Sequence, residues 1–402
     1  MARAMKDSGV EWIGEIPQGW ECKKLKFCSQ FVQQKYDDIS DNSLPYIGLE
    51  NVVSWNGRFI ETDSQYDKEQ SILFLEGDIL WGKLRPYLAK VYHAKSDGCC
   101  SGEFCVIRIE RQYNERYFWN LFISSEFVST VDKSTYGTKM PRANAEFIKN
   151  VSIPVPPINE QSRIANFLDA ECAQIDAVID QTRASVEEYK KLKQSVITQA
   201  VTKGIRSGRK MKDSGVEWID SIPEEWSMER GKGLFIEVDN RSEDGTEELL
   251  TVSQYTGITP RSQKNVNMFE AETLEGYKIC EVGDIAANTM WLWAGAIGVS
   301  EYRGVISPSY NIYRQKNNCF DPTYLDFLLR AAPLVQHYES LSTGIRASRL
   351  RLYPQQFLSI RYPVPPMNEQ KEIVSFLKEK IGSITKSVGF RIPIITPAAG
   401  IE

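Results

Sequence analysis

Apolar positions along this chain change period, and the changes divide it into segments. Short apolar runs at Tyr46 to Val53, Ile72 to Trp81 and Cys105 to Ile109 predict strands, the second containing the turn Glu76-Gly77-Asp78. Phe118, Leu121, Phe122 and Val128 fall at helical spacing within Glu115 to Val131, and Val151 to Val155 predicts a closing strand. The same order returns later in the chain. Leu249 to Tyr255 and Asn311 to Arg314 predict strands, and Tyr324 to Leu341 predicts a helix that Pro333 should interrupt or kink. After each set a helix starts abruptly behind a Pro-Pro pair. From Asn159, taken as the N-cap, to Lys203 there is no Pro or Gly, and Gly204 predicts the C-cap. The apolar seam of this helix, Leu168, Cys172, Ile175, Ile179, Thr182, Val186, Tyr189 and Val196, alternates steps of four and three, as a coiled coil requires. A second seam, Leu377, Ile381, Ile384 and Val388, follows Asn368.

The repetition extends to the residues themselves. Met5 to Trp20 reads MKDSGVEWIGEIPQGW and Met211 to Trp226 reads MKDSGVEWIDSIPEEW, 12 matches in 16 positions at an offset of 206. Pro154 to Gln161 (PVPPINEQ) returns as Pro363 to Gln370 (PVPPMNEQ), and Gly77-Asp78-Ile79 returns as Gly283-Asp284-Ile285. The sequences between these blocks have drifted apart. The chain is therefore a tandem duplication, and each copy is long enough to bury its own core. The predicted architecture is α/β, with two mixed α/β domains joined by long helices that pair as an antiparallel coiled coil. The expected boundaries are 1–157, 158–204, 205–366, a shortened helix at 367–389 and an irregular tail at 390–402. With the second helix short, Leu168, Cys172, Ile175 and Ile179 are expected to lack an intramolecular partner and to form an association surface.

Composition narrows the functional classes. The 402 residues carry a net charge of −5, with 42% hydrophobic and 25% charged residues, as an ordinary globular protein does. No apolar run is long enough to span a bilayer, and the N-terminus reads as no secretory signal. Eight cysteines show no metal or redox spacing, so a reduced, cytoplasmic protein is expected. With only two histidines, His93 and His337, the composition argues against a Ser-His-Asp triad. No phosphate-binding loop, dinucleotide fingerprint or nucleophile elbow occurs. Phe320-Asp321-Pro322-Thr323-Tyr324 reads as a helix start with Asp321 as cap. The cluster Glu243 to Glu248 reads as a solvated loop, and Asp78 and Asp284 read as turn residues. No catalytic or metal-binding residue is predicted.

Cations gather where the copies differ. Lys83, Arg85, Lys90 and Lys95 lie in an acid-free stretch of copy one, where copy two carries Trp291, Trp293 and Tyr302. Before each closing strand comes a glycine followed by cations: Lys139 and Arg142 in copy one, Arg346, Arg349 and Arg351 in copy two. Any one such patch reads most simply as a solvated loop. Its recurrence in both copies points to phosphate or base-edge contact.

The doubled DSGVEWI…IP…W opening and the doubled PVPPxNEQ leading into a helix resemble the DNA-specificity subunit of type I restriction-modification systems, over nearly the whole chain. The resemblance implies two target-recognition domains reading a bipartite, asymmetric duplex DNA site, with the helices setting its spacing. It implies two docked modification subunits and further restriction subunits. S-adenosylmethionine, ATP and Mg would act on those partners and none on this chain, which would be non-catalytic within a complex that methylates adenine and cleaves DNA. The acidic net charge weighs against nucleic-acid binding only as an average over the surface. The competing reading from the residues alone is a tandem-repeat coiled-coil scaffold that binds proteins and no DNA.

Overall fold

The computed structural model describes residues 3–36, 44–62, 71–135, 140–263, 273–344 and 350–389. The chain forms two compact units, Met1–Val178 and Ile179–Glu402, with the division inside one long helix, Ile158–Lys203.

In the first unit, Ser29–Val32, Phe104–Ile109, Ile79–Gly82 and Val91–His93 form a four-stranded antiparallel sheet in that spatial order. Its apolar faces alternate as strand geometry demands. Ile79, Trp81, Cys105 and Ile107 pack under the helices with Phe118, Phe122 and Phe127, while Leu80, Phe104 and Val106 face a smaller core with Ile47 and Phe74. A hairpin, Met5–Asp7 with Glu15–Pro17, holds the first repeated block, and the repeated Ser8-Gly9 supplies its turn. Gly9 has φ 69°, and its N–H donates to the Asp7 carboxylate at 2.9 Å. Glu21–Lys24 then pairs with the closing strand Ser152–Val155, bringing the two ends of the unit together.

The second unit repeats this plan. Phe235–Val238, Asn311–Gln315, Ile285–Ala287 and Ile297–Val299 form its sheet in the same order. Ser227–Arg230 pairs with Arg361–Val364, and the hairpin Met211–Val216 with Ile219–Pro223. The last turns of the long helix enter this unit's core. Ile197, Ala200 and Val201 share it with Ile373, Val374 and Leu377 of the second helix, Met367–Gly389, with Val196 and Ile381 packed at its margin. Arg206, just past the first helix, pairs with Glu372 near the start of the second. The end of one helix thus meets the beginning of the other, in the antiparallel sense.

Several expected elements are divided or shifted. Tyr46 to Val53 is a strand only over Tyr46–Ile47; a 3-10 turn follows at Leu49–Asn51, where the Asn51 side chain accepts from the Gly48 N–H. Glu115 to Val131 is two helices, Glu115–Phe122 and Ser125–Asp132, because Ser124 caps the second by accepting from the Phe127 N–H. Tyr324 to Leu341 likewise divides into Pro322–Leu329 and Ala332–Leu341, with Pro333 in the first turn of the second helix. Asp321 caps the first of these, accepting from the N–H groups of Thr323 and Tyr324. The long helix has 46 residues and begins at Ile158, one residue before the expected cap. The Pro157 carbonyl accepts from Glu160 and Gln161, so Asn159 lies within the first turn. Gly204 ends the helix with φ 73°, its N–H donating to the Ala200 carbonyl.

Candidate nucleic-acid interface

The duplicated motifs form one device, built once in each unit. In the first, the Trp20 indole N–H donates to Glu160 at 3.0 Å, and Arg3 forms a forked pair with the same carboxylate, its second arm at 2.7 Å. Arg3 also lies over the Trp20 ring, 6.0 Å from its centre. In the second unit Trp226 donates to Glu369 at 3.1 Å, Arg209 pairs with Glu369, and Arg209 lies 5.9 Å from the Trp226 ring centre. The neighbouring glutamines complete the clasp. Gln161 accepts from the Asn114 N–H at 2.9 Å and donates to the Pro156 carbonyl at 2.7 Å. Gln370 accepts from the Asp321 N–H at 2.8 Å and donates to the carbonyls of Cys319 and Pro365. Each Glu-Gln pair thus ties a helix start to the opening hairpin and to a helix cap inside the same unit. The Arg3 hydrogen bonds hold the Glu160 carboxyl down at about 2.

The clasps leave another part of each unit free to differ. Asp78 and Asp284 do more than shape turns. Each accepts from a backbone N–H three residues earlier, and each buried carboxylate forms a two-armed pair with a partly exposed arginine, Asp78 with Arg108 and Asp284 with Arg314, at 2.7–2.8 Å. All four residues obey the 206-residue offset. The strand after each aspartate leads into a 3-10 turn, Pro86–Leu88 in one unit and Leu292–Ala294 in the other, each preceded by an exposed residue.

The cations of copy one meet at this turn. Leu84 and Arg142 form an isolated bridge, the Arg85 N–H donates to the Pro141 carbonyl, and the Ala143 N–H donates to the Lys83 carbonyl. Two patches far apart in sequence therefore share one surface carrying Lys83, Arg85 and Arg142. Arg85 is exposed, and Lys83 is half-buried. Arg142 is engaged by Glu103 through a forked pair at 2.7 and 3.1 Å. Lys90 leaves the patch: its ammonium donates to the Leu49 carbonyl at 2.6 Å, and burial lowers its pKa. Lys95 contacts the His93 ring, whose own pKa burial depresses to about 4. In copy two Arg351 is exposed, in a backbone bridge with Thr343. Lys139, Arg346 and Arg349 lie outside the described residues.

Along the long helix, Thr182 and Val186 are buried and Tyr189 is half-buried. Cys172 is exposed, Ile175 is 56% exposed, and Leu168 and Ile179 are half-buried. In the second helix Leu377 is fully buried and Ile381 and Ile384 are half-buried. The Val388 side chain lies outside the described residues. Among the described residues no group of three or more His, Cys, Asp or Glu could hold a metal ion, and no helix is long and apolar enough to cross a membrane.

Sequence reading missed three features. Arg3 and Arg209 stand two residues before the repeated block at the same offset, so extending the comparison backward would have found them. Arg108 and Arg314 were recoverable in the same way. Glu103 carried no signal, because only folding brings it to Arg142.

Residues 17–188 match the type I restriction modification DNA specificity domain. The chain is 22% identical over 385 residues to the MjaVIII specificity subunit of Methanocaldococcus jannaschii, covering 90% of this chain and 86% of that one. The MjaX specificity subunit, putatively assigned in the same organism, is 23% identical over 91% of this chain and 88% of its own. The chain is thus similar to type I restriction-modification specificity subunits along most of its length. The EcoDI specificity subunit of Escherichia coli is 22% identical over 194 residues, and there the match spans only 43% of the relative. The fold is shared as well. A chain solved in work on complex assembly and conformational transition of the type I R-M system matches with a TM-score of 0.68 at 16% identity, over 94% of both chains. The HsdS subunit of Thermoanaerobacter tengcongensis matches with a TM-score of 0.53 at 18% identity, over 95% of this chain and 93% of that one.

Proposed function

We propose that each unit of this specificity subunit reads one half of a bipartite, asymmetric duplex DNA site. The long helices set the spacing between the halves and dock two modification subunits, and restriction subunits join that complex. The chain itself is non-catalytic. Adenine methylation and ATP-dependent cleavage, with S-adenosylmethionine, ATP and Mg, belong to the partners, and the complex works in the cytoplasm. The observation that carries this reading is the pairing of two matched frames with unlike side chains at their turns. A scaffold presenting two different surfaces suits a site of two different short sequences.

The test is the methylation pattern of DNA exposed to this chain with its cognate modification subunits. One split motif with unlike halves is expected. Duplex binding by the complex should weaken with salt, with a slope of roughly −0.9 per phosphate contacted. A complex that modifies no defined site, or binding indifferent to salt, overturns the reading in favour of a protein scaffold.

A further inference from the structure

The two turns stand in one frame without insertion or deletion. At the 206-residue offset Gly77 (φ 85°) matches Gly283 (φ 88°), and Asp78–Arg108 matches Asp284–Arg314. The strand pairing Ile79↔Ile107 matches Ile285↔Tyr313, and Ile79↔His93 matches Ile285↔Val299. The 3-10 turns match in length, and the residue that closes each is left-handed: Ala89 (φ 46°) in one unit, Gly295 (φ 86°) in the other. Side chains at the mouth of the turn differ in kind. Lys83, Arg85 and Tyr87 correspond to Thr289, Trp291 and Trp293.

Arg85 and Trp291 hold the same position, immediately before the 3-10 turn, and both are exposed. Arg85 has φ 51° and ψ 63°, a left-handed conformation that strains any residue with a Cβ. Glycine or asparagine would relieve that strain, so the arginine there serves something other than the fold. Among the described residues no side chain pairs with its guanidinium. Trp291 stacks on Trp293 with ring centres 5.7 Å apart and remains 48% exposed.

We infer that this turn is the base-reading element of each unit, and that Arg85 and Trp291 make the two half-sites different. The inference rests on the DNA-reading function proposed above. A guanidinium fork matches the two acceptors on the major-groove edge of guanine. An exposed indole braced by a second ring offers an apolar face, which suits the thymine methyl group. The first unit's half-site should therefore hold a G·C pair read by Arg85, and the second unit's half-site an A·T pair packed against Trp291.

The experiment compares methylation motifs of the full complex carrying Arg85→Gly, Trp291→Ala or Trp291→Phe. Arg85→Gly removes the fork and relieves the backbone, so folding is preserved. It should relax one G·C position in one half-site by roughly 5- to 150-fold in discrimination. The other half-site and the spacing should remain intact, which also reports that the complex is assembled. Trp291→Ala should relax one A·T position in the opposite half-site, and Trp291→Phe should retain it. Three results would overturn the inference: an unchanged motif, relaxation in both halves together, or a loss uniform across sequences that marks a phosphate contact. A parent complex without any defined site would overturn the DNA-reading function and this inference with it. A parent with a defined site and unaltered variants would overturn this inference alone.

Discussion

The Arg–Trp–Glu clasp occurs twice with the same three residues, in two different environments, and in the second copy Arg209 also pairs with Glu225. Glu369 is 2% exposed and its partner Arg209 10%, whereas Glu160 is 24% exposed and Arg3 52%. Trp226 is buried at 1%, and Trp20 is half-exposed. Identical chemistry should therefore make unequal contributions. Near the surface, water competes for the pair and screens it. In the buried copy, loss of one partner strands the other without solvent.

Five substitutions sharpen that contrast and the one between the turns. The largest expected effect is on the buried tryptophan. Trp226→Ala should destabilise its unit by about 3–5 kcal/mol, because it removes a large enclosed side chain and leaves Glu369 without its indole donor. Trp20→Ala should reduce stability by only about 1–2 kcal/mol. Urea denaturation monitored by circular dichroism and by tryptophan fluorescence measures both, and equal losses would contradict the burial argument.

A change of sign separates the turns. Arg85→Gly should raise stability by about 1 kcal/mol, since glycine occupies the left-handed region freely. Trp291→Gly, at φ −125°, should give no such gain. Thermal unfolding of the two variants decides this, and a stabilised Trp291→Gly would remove the contrast.

The smallest effect is the acid response of the exposed clasp. Arg3 lowers the Glu160 pKa from its ordinary 4.5 to about 2. A lowered native pKa supplies stability above the unfolded value, and that stability is lost as pH falls through the native value. The contribution should disappear between about pH 5 and 2, and at this exposure it should stay below about 1 kcal/mol. Glu160→Gln should flatten the corresponding slope in a denaturation series against pH. A slope that survives the substitution would place the titrating group elsewhere.

Much of the fold was legible because its signals are local or repeated. The Pro-Pro boundary, the long stretch free of Pro and Gly, the capping Asp321 and the terminating Gly204 each act within one helical turn. The helix break at Ser124 was harder to place, since apolar spacing continues across it and only a cap divides the pattern, whereas Pro333 marked the break near Ala331. The candidate interface was legible in part. Lys83 and Arg142 carry charge in sequence but no sign of proximity, which comes from the Leu84–Arg142 bridge. Lys90 read as surface charge although its ammonium is committed to a carbonyl. The strain at Arg85 could not be read at all, because an arginine in the left-handed region leaves no compositional mark.

The clasp also bears on heredity. The two copies of MKDSGVEW are encoded by stretches of gene that specify the same peptide, and each copy lies between its arginine and its tryptophan. A deletion joining one stretch to the other would remove 206 residues and keep the reading frame. The surviving chain would still hold Arg3, Trp226 and Glu369, one complete set. Loss of an entire unit would thus leave behind a polypeptide that keeps one full clasp.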